Sequence, residues 1–159
     1  MTNKYLNYYN SLQLSKLSST EILKLQVTNN FKVKEIVCNH CLANKDKNKI
    51  LSMIAMYRTA IIEQCNKLEV VRHLIKKPLF VNSFLRCQEH NENVGGSKTS
   101  AHLKGNATDL QLRNIWTAIQ TDKQVLSALT GMFDEIIINL KKGYIHLAID
   151  NEFLFKFVV

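Results

Sequence analysis

Two histidines and an aspartate pose the chemical question in this chain of 159 residues. His102 and Asp109 stand seven apart in TSAHLKGNATDLQ (residues 99–111), separated by a glycine, an alanine and small polar residues, and His146 follows in YIHLAI. Two imidazoles and one carboxylate are the protein ligands of a catalytic zinc site, which keeps a further position for water. Read on the residues alone, the same stretch also fits a tight turn between two strands, with its histidine and aspartate hydrogen-bonded locally.

The elements around these residues decide whether they can meet. In an extended chain alternate side chains share a face. ATDLQL as a strand puts Ala107, Asp109 and Gln111 on one face and Leu110 and Leu112 on the other. YIHLAI puts Tyr144, His146 and Ala148 on one face, opposite Ile145 and Leu147. Two strands can thus each present one ligand, and His102 can supply a third from a glycine-containing loop. FDEIIIN, LKKG and YIHLAI together read as a β-hairpin, NEFLFKFVV as a last strand, and KKPLFVNSFLR as a strand entered after Pro78. The segment CQEHNENVGGSKTSAHLKGN holds three of the five glycines, and a polar loop of that length inside a compact domain is usually functional.

The remaining sequence supplies helices. SSTEILKLQ reads as a capped helical turn with Ser19 or Thr20 at the N-cap. NFKVKEIVCNHC alternates Phe31, Val33 and Glu35 against lysines, which suits a short strand or an extended lead-in. A long helix fits KNKILSMIAMYRTAIIEQCNKLEVV, where Ile50, Ile54, Tyr57, Ile61 and Cys65 form a stripe to be buried. RNIWTAIQTDKQVLSALT reads as a helix ending at Gly131, with Trp116 in the core. The class expected is α+β, with residues 1–30 as an N-terminal extension and residues 31–159 as a single domain.

Composition narrows the class of function. A hydrophobic content of 46% and a single proline belong to a folded globular protein. The net charge of +8 admits a polyanionic partner, but no recognition-helix or aromatic–basic signature points to nucleic acid. MTNKYLNYYNSLQ has no apolar core or cleavage site of a secretory leader, and no apolar run reaches the ~20 residues of a membrane helix. The expectation is a protein made in the cytoplasm, without a membrane span and monomeric. Cys38, Cys41, Cys65 and Cys87 then read as thiols rather than bridges. CNHC has the C-x-x-C spacing of a zinc or redox site. With no second C-x-x-C following, buried or loop thiols are the reading, and His40, His73 and His90 show no partner pattern.

VNSFLRCQEHNENVGGSKTSAHLKGNATDLQ resembles the signature of the zinc D-Ala-D-Ala carboxypeptidases and related peptidoglycan endopeptidases, which share a fold with the Hedgehog signalling domain. The matching positions are Ser83, Arg86, Asn91, Gly95, Gly96, Ser100, His102, Gly105, Ala107 and Asp109, with the later aromatic-x-His at Tyr144 and His146. A weaker family opening, Phe-x-x-x-Glu, matches Phe31 and Glu35. The resemblance implies N-terminal helices packed on a small, mainly antiparallel sheet carrying a zinc ion held by His102, Asp109 and His146. It also implies that Arg86 contacts the substrate carbonyl or the developing oxyanion and that Ser100 helps to position the substrate. The partner implied is the peptidoglycan stem peptide, cut at the bacterial wall by a phage-type lysis enzyme.

One position departs from that pattern. The family carries an acidic general base, often a glutamate ending the strand before the last histidine, and here Asn139 stands there. An amide cannot take a proton from water as a carboxylate can. Glu135 shares the strand face of Asn139 but lies about 13 Å along it at ~3.3 Å per residue, which makes it an awkward substitute. The function expected is a zinc peptidase cutting a D-amino-acid-containing bond in peptidoglycan, with Arg86 and Glu135 as catalytic candidates. The alternative is a catalytically impaired zinc protein that binds peptidoglycan.

Overall fold

The structure, a computed structural model, describes residues 4–149 and 153–159. Two short helices, α1 (Ser11–Lys16) and α2 (Ser19–Lys24), each begin with a capping box. In α2 the cap is Ser18, one residue earlier than the sequence suggested: its hydroxyl accepts from the Glu21 N–H while the Glu21 carboxylate accepts from the Ser18 N–H. NFKVKEIVCNHC is not a strand. It folds as two short helices, α3 (Val33–Ile36) and α4 (Asn39–Ala43). The alternation that suggested a strand is satisfied differently: Phe31, Val33 and Ile36 are all buried, and Glu35 turns back to accept from the Lys32 N–H at 2.9 Å.

The long helix α5 (Lys47–Ile75) starts at Asp46, whose side chain accepts from the Lys49 N–H. Ile50, Ile54, Ile61 and Cys65 are buried as their spacing predicts. Tyr57, the remaining member of that stripe, is only half-buried and marks a kink, with φ −110° and ψ 17°. Strand β1 (Val81–Ser83) follows. The polar segment expected as one loop contains a helix, α6 (Gln88–Asn93), and a 3₁₀ turn at Ala101–Lys104. After β2 (Ala107–Gln111), the single helix expected next is two, α7 (Trp116–Thr121) and α8 (Lys123–Met132). Asp122 divides them by capping α8 through the Gln124 N–H. Strands β3 (Glu135–Asn139) and β4 (Tyr144–Ala148) form the expected hairpin. The last strand is β5 (Leu154–Val158); Asn151 and Glu152 of the segment expected to form it lie outside the described residues.

The five strands form one sheet in the order β1-β2-β4-β3-β5. All pairings are antiparallel except β3 with β5. One face, carrying Thr108, Leu110, Ile136, Ile138, Ile145 and Leu147, is buried. α5 packs on that face: buried Gln64 donates to the Leu147 carbonyl at 2.9 Å and to the Thr108 hydroxyl at 3.2 Å. Leu6, Leu14 and Ile22 from the first thirty residues join the same hydrophobic cluster. The other face carries Asp109, Glu135, Ile137, Tyr144 and His146, each partly exposed. Burying a sheet on one face leaves the opposite one available for chemistry.

Gly105 makes the sharp connection from the 3₁₀ turn to β2. Its φ is +73°, and a Cβ there would meet Ile61 Cγ1 at 3.0 Å and Tyr57 Cβ at 3.5 Å, beside the kink of α5. Gly105→Ala therefore combines left-handed strain with a crowded contact. The expected loss is roughly 1–3 kcal/mol in denaturant unfolding, and unchanged stability would contradict this account of the turn.

Candidate active site

Strand register does most of the assembly. Asp109 on β2 lies directly opposite His146 on β4, and His146 in turn faces Ile137 on β3. His102 enters from the 3₁₀ turn, which is tied to the segment after β1 by the Arg86 N–H donating to the His102 carbonyl at 3.0 Å. Three donor atoms converge as a result. His102 Nε2 lies 3.2 Å from Asp109 Oδ1, His146 Nδ1 lies 2.7 Å from the same oxygen, and the two ring nitrogens are 3.3 Å apart.

The far side of each ring fixes which nitrogen offers a lone pair. His102 Nδ1 sits 2.5 Å from the Phe84 carbonyl, which can only accept, so the ring proton is on Nδ1 and Nε2 points into the cluster as a base. His146 turns Nε2 toward Glu135 Oε2 at 3.4 Å, which leaves Nδ1 for Asp109. Imidazoles held at the far nitrogen by a carbonyl and a carboxylate are the arrangement that orients metal-binding histidines. Two such lone pairs and a carboxylate oxygen aimed at one point need a cation between them, so the group fits a metal ion.

Arg86 completes the cluster. Its Nη2 donates to Asp109 Oδ2, and its Nε donates to the Ser83 hydroxyl at 2.8 Å. The guanidinium thus engages one carboxylate oxygen while the other faces the histidines. Both side chains of the Arg86–Asp109 pair are largely buried, a setting in which an unpartnered charge would be costly.

Protonation follows from the same contacts. Burial disfavours ionisation of Asp109, yet the two imidazoles beside it, with His146 donating from Nδ1, outweigh it and hold the carboxyl below its usual range. Burial also lowers His102, against the pull of Asp109. At His146 burial opposes the charged ring, but Asp109 and Glu135 prevail and push it up to about 9. The hydrogen bond from His146 holds Glu135 below the ordinary carboxylate value. In metal-free protein, therefore, a proton sits on His146 where a cation would otherwise lie.

A raised histidine pKa stabilises the fold fully below its ordinary value of 6.5, and that stability is lost as pH rises through about 9. Metal-free protein should lose on the order of 3 kcal/mol across this window, and His146→Gln should not. Unfolding titrations of both proteins check this, and equal losses would rule out His146 as the source.

The cluster lines a cleft of about 300 Å³ whose walls include Arg86, Ser100, Glu135 and Tyr144. Ser100 stands where the 3₁₀ turn begins, two residues before His102, and lines the same cleft. A larger depression elsewhere, about 560 Å³ and lined by Asn29, Glu69, Arg72, His73 and Lys76, brings no ligand set together among the described residues. Gly96 and Asn91 adjoin Ser97, which lines the cleft. Asn91 is fully buried and donates to the Ser97 carbonyl, and a Cβ on Gly96 would lie 2.2 Å from Asn91 Oδ1.

Glu135 is closer to the chemistry than its strand position suggested. It sits diagonally across from His146, and diagonal neighbours on a sheet lie within reach of a long side chain. Asn139 serves the hairpin instead, its Oδ1 accepting from the Lys142 N–H at 2.8 Å. His90, which showed no partner pattern, has a partner, and the Cys87 thiol is one of a cluster. Cys87 and His90 lie against Cys38, which could have been anticipated because Cys87-x-x-His90 repeats the spacing of Cys38-x-x-Cys41.

A family model described as Peptidase M15 matches residues 29–148, a span that includes every residue of the cluster. No curated protein matches the chain. Among the described residues, no helix is long and apolar enough to cross a membrane.

Proposed function

The chain belongs to the M15 peptidase family, and from that membership we propose that it is a zinc-dependent peptidase that hydrolyses a D-amino-acid-containing peptide bond in peptidoglycan. It acts on stem peptides as a monomeric carboxypeptidase or endopeptidase, in the wall-degrading role of a phage-type lysis enzyme. The observation that carries this reading is the convergence of His102 Nε2, Asp109 Oδ1 and His146 Nδ1 in a solvent-reaching cleft beside a guanidinium. Those three atoms would hold the zinc. When bound, zinc supplies Lewis acidity and brings the pKa of a water ligand to about 7.

The chain's own residues do the rest. Arg86 holds Asp109 in place and offers positive charge where a carbonyl oxygen becomes negative. Ser100 orients the peptide along the cleft wall. Among the described residues Glu135 is the one carboxylate besides Asp109 lining the cleft, and in this reading it accepts a proton from the attacking water. The net charge of +8 suits an anionic wall surface. Purified protein incubated with zinc and isolated peptidoglycan should release new amino and carboxyl termini, and a chelator should stop it. No new termini with or without zinc would remove the proposal.

A second reading, a catalytically impaired zinc protein that binds peptidoglycan, is favoured by Asn139, an amide engaged in the hairpin turn where relatives carry an acid. The two readings separate in one comparison. Turnover by the unaltered protein supports the first, whereas turnover that appears only in Asn139→Glu supports the second.

A further inference from the structure

Beside Arg86 in the sequence, Cys87 belongs to a second cluster of side chains of the types that ligate metals. Cys38, Cys41 and Cys87 are all buried and unbridged, and their sulfurs lie within 4.8 Å of one another. Cys38 Sγ is 3.6 Å from Cys87 Sγ and 3.2 Å from His90 Nδ1. Ligands of tetrahedral zinc, at about 2.3 Å for sulfur and 2.0 Å for nitrogen, lie roughly 3.5–3.8 Å apart along the tetrahedron's edges. The sequence supplies two matching halves. Cys38 precedes α4 and Cys41 follows three residues on, while Cys87 precedes α6 and His90 follows three residues on. Backbone N–H groups point at the sulfurs, from Cys87 to Cys38 Sγ and from His90 to Cys87 Sγ, each at 3.4 Å.

We propose that Cys38, Cys41, Cys87 and His90 form a second, structural metal centre that takes zinc and rivets α4 to α6. On binding, the three thiols lose their protons to solvent and the metal enters as the divalent cation, so no redox partner is needed. All four ligands come from the protein, and a closed Cys3His set is the pattern of a structural site, unlike the open His-Asp-His cluster. His40 is also near, with Nδ1 3.7 Å from Cys87 Sγ. Its Nε2 is engaged by Asn44 at 2.8 Å and faces Glu89 at 3.6 Å, and it falls inside the first half rather than completing the second. The centre's position gives it a purpose. Cys87 directly follows Arg86, and the Leu85 N–H donates to the Ile36 carbonyl at 3.0 Å, so fixing this corner fixes the arginine that holds Asp109.

The test uses metal content and cobalt spectra, which do not depend on turnover. Unaltered protein should carry two zinc ions per chain. A His102→Ala/Asp109→Ala variant should still carry one, and its cobalt(II) form should show the intense sulfur-to-cobalt absorption that the His-Asp-His cluster cannot produce. Cys87→Ser should lose that absorption, His90→Ala should weaken binding at least tenfold, and His40→Ala should leave stoichiometry unchanged. If the double variant binds no zinc, or the cobalt form of unaltered protein lacks the thiolate absorption, the centre does not exist. If His40→Ala weakens binding and His90→Ala does not, the assignment of His90 is overturned. These results stand apart from peptidase activity, which can fail while the thiolate site persists.

Discussion

Asp109→Ala should lower kcat/KM on peptidoglycan by at least about 10³-fold, an effect of ~4 kcal/mol on the transition state. The reason lies in how many contacts end on one carboxylate. Oδ1 meets both histidines and Oδ2 meets Arg86, so the substitution removes the only anionic member of the ligand set and strips the guanidinium of its charge partner. Zinc content should fall by one ion per chain while the thiolate-bound ion remains. Circular dichroism and thermal unfolding establish that the variant is folded, because a buried arginine deprived of its carboxylate carries its own cost. A folded variant that keeps both zinc ions and most of its activity would contradict the role given to Asp109.

Glu135→Gln should lower kcat by about 10²–10⁴-fold, the usual contribution of a general base. The carboxylate has two jobs open to it, and the variant separates them. If it accepts the proton, the acidic limb of the kcat/KM–pH profile disappears while zinc affinity changes little. If it acts only by holding His146 Nε2, zinc affinity falls about 10–100-fold and the pH profile keeps its shape at a lower level. The contact of 3.4 Å to His146 and the place in the cleft wall allow both, and the proton-accepting role is the one proposed. Unchanged kcat with unchanged zinc affinity would contradict either.

Much of this arrangement was legible in the residues because period-two patterning is strong where one sheet face is buried. ATDLQ buries Thr108 and Leu110 on one face and turns Asp109 to the cleft, and YIHLA buries Ile145 and Leu147 and turns Tyr144 and His146 to it, so the pairing of Asp109 with His146 follows once the strands are antiparallel neighbours. The stripe on α5 was equally clear, because 29 residues give a helical period room to repeat. The four- and five-residue helices α3 and α4 offer hardly one turn, and the lysines alternating at Lys32 and Lys34 imitate a strand. The reach of Glu135 was hidden for a different reason. Distance along a strand to Asn139 says nothing of the diagonal to His146, which depends on the hairpin register. The cysteine cluster joins residues 49 apart in sequence. Its second half was obscured because histidine, rather than cysteine, closes it.

The stereochemistry of cleavage tests the central claim most directly. Zinc-loaded protein should be mixed with two soluble stem peptides that differ only in whether the residues flanking the scissile bond are D or L, and the products weighed by mass spectrometry. The account predicts that the D-containing peptide is cut with the uptake of one water per bond and that the all-L peptide stays intact. Cleavage of both at similar rates, or of the all-L peptide alone, would contradict it.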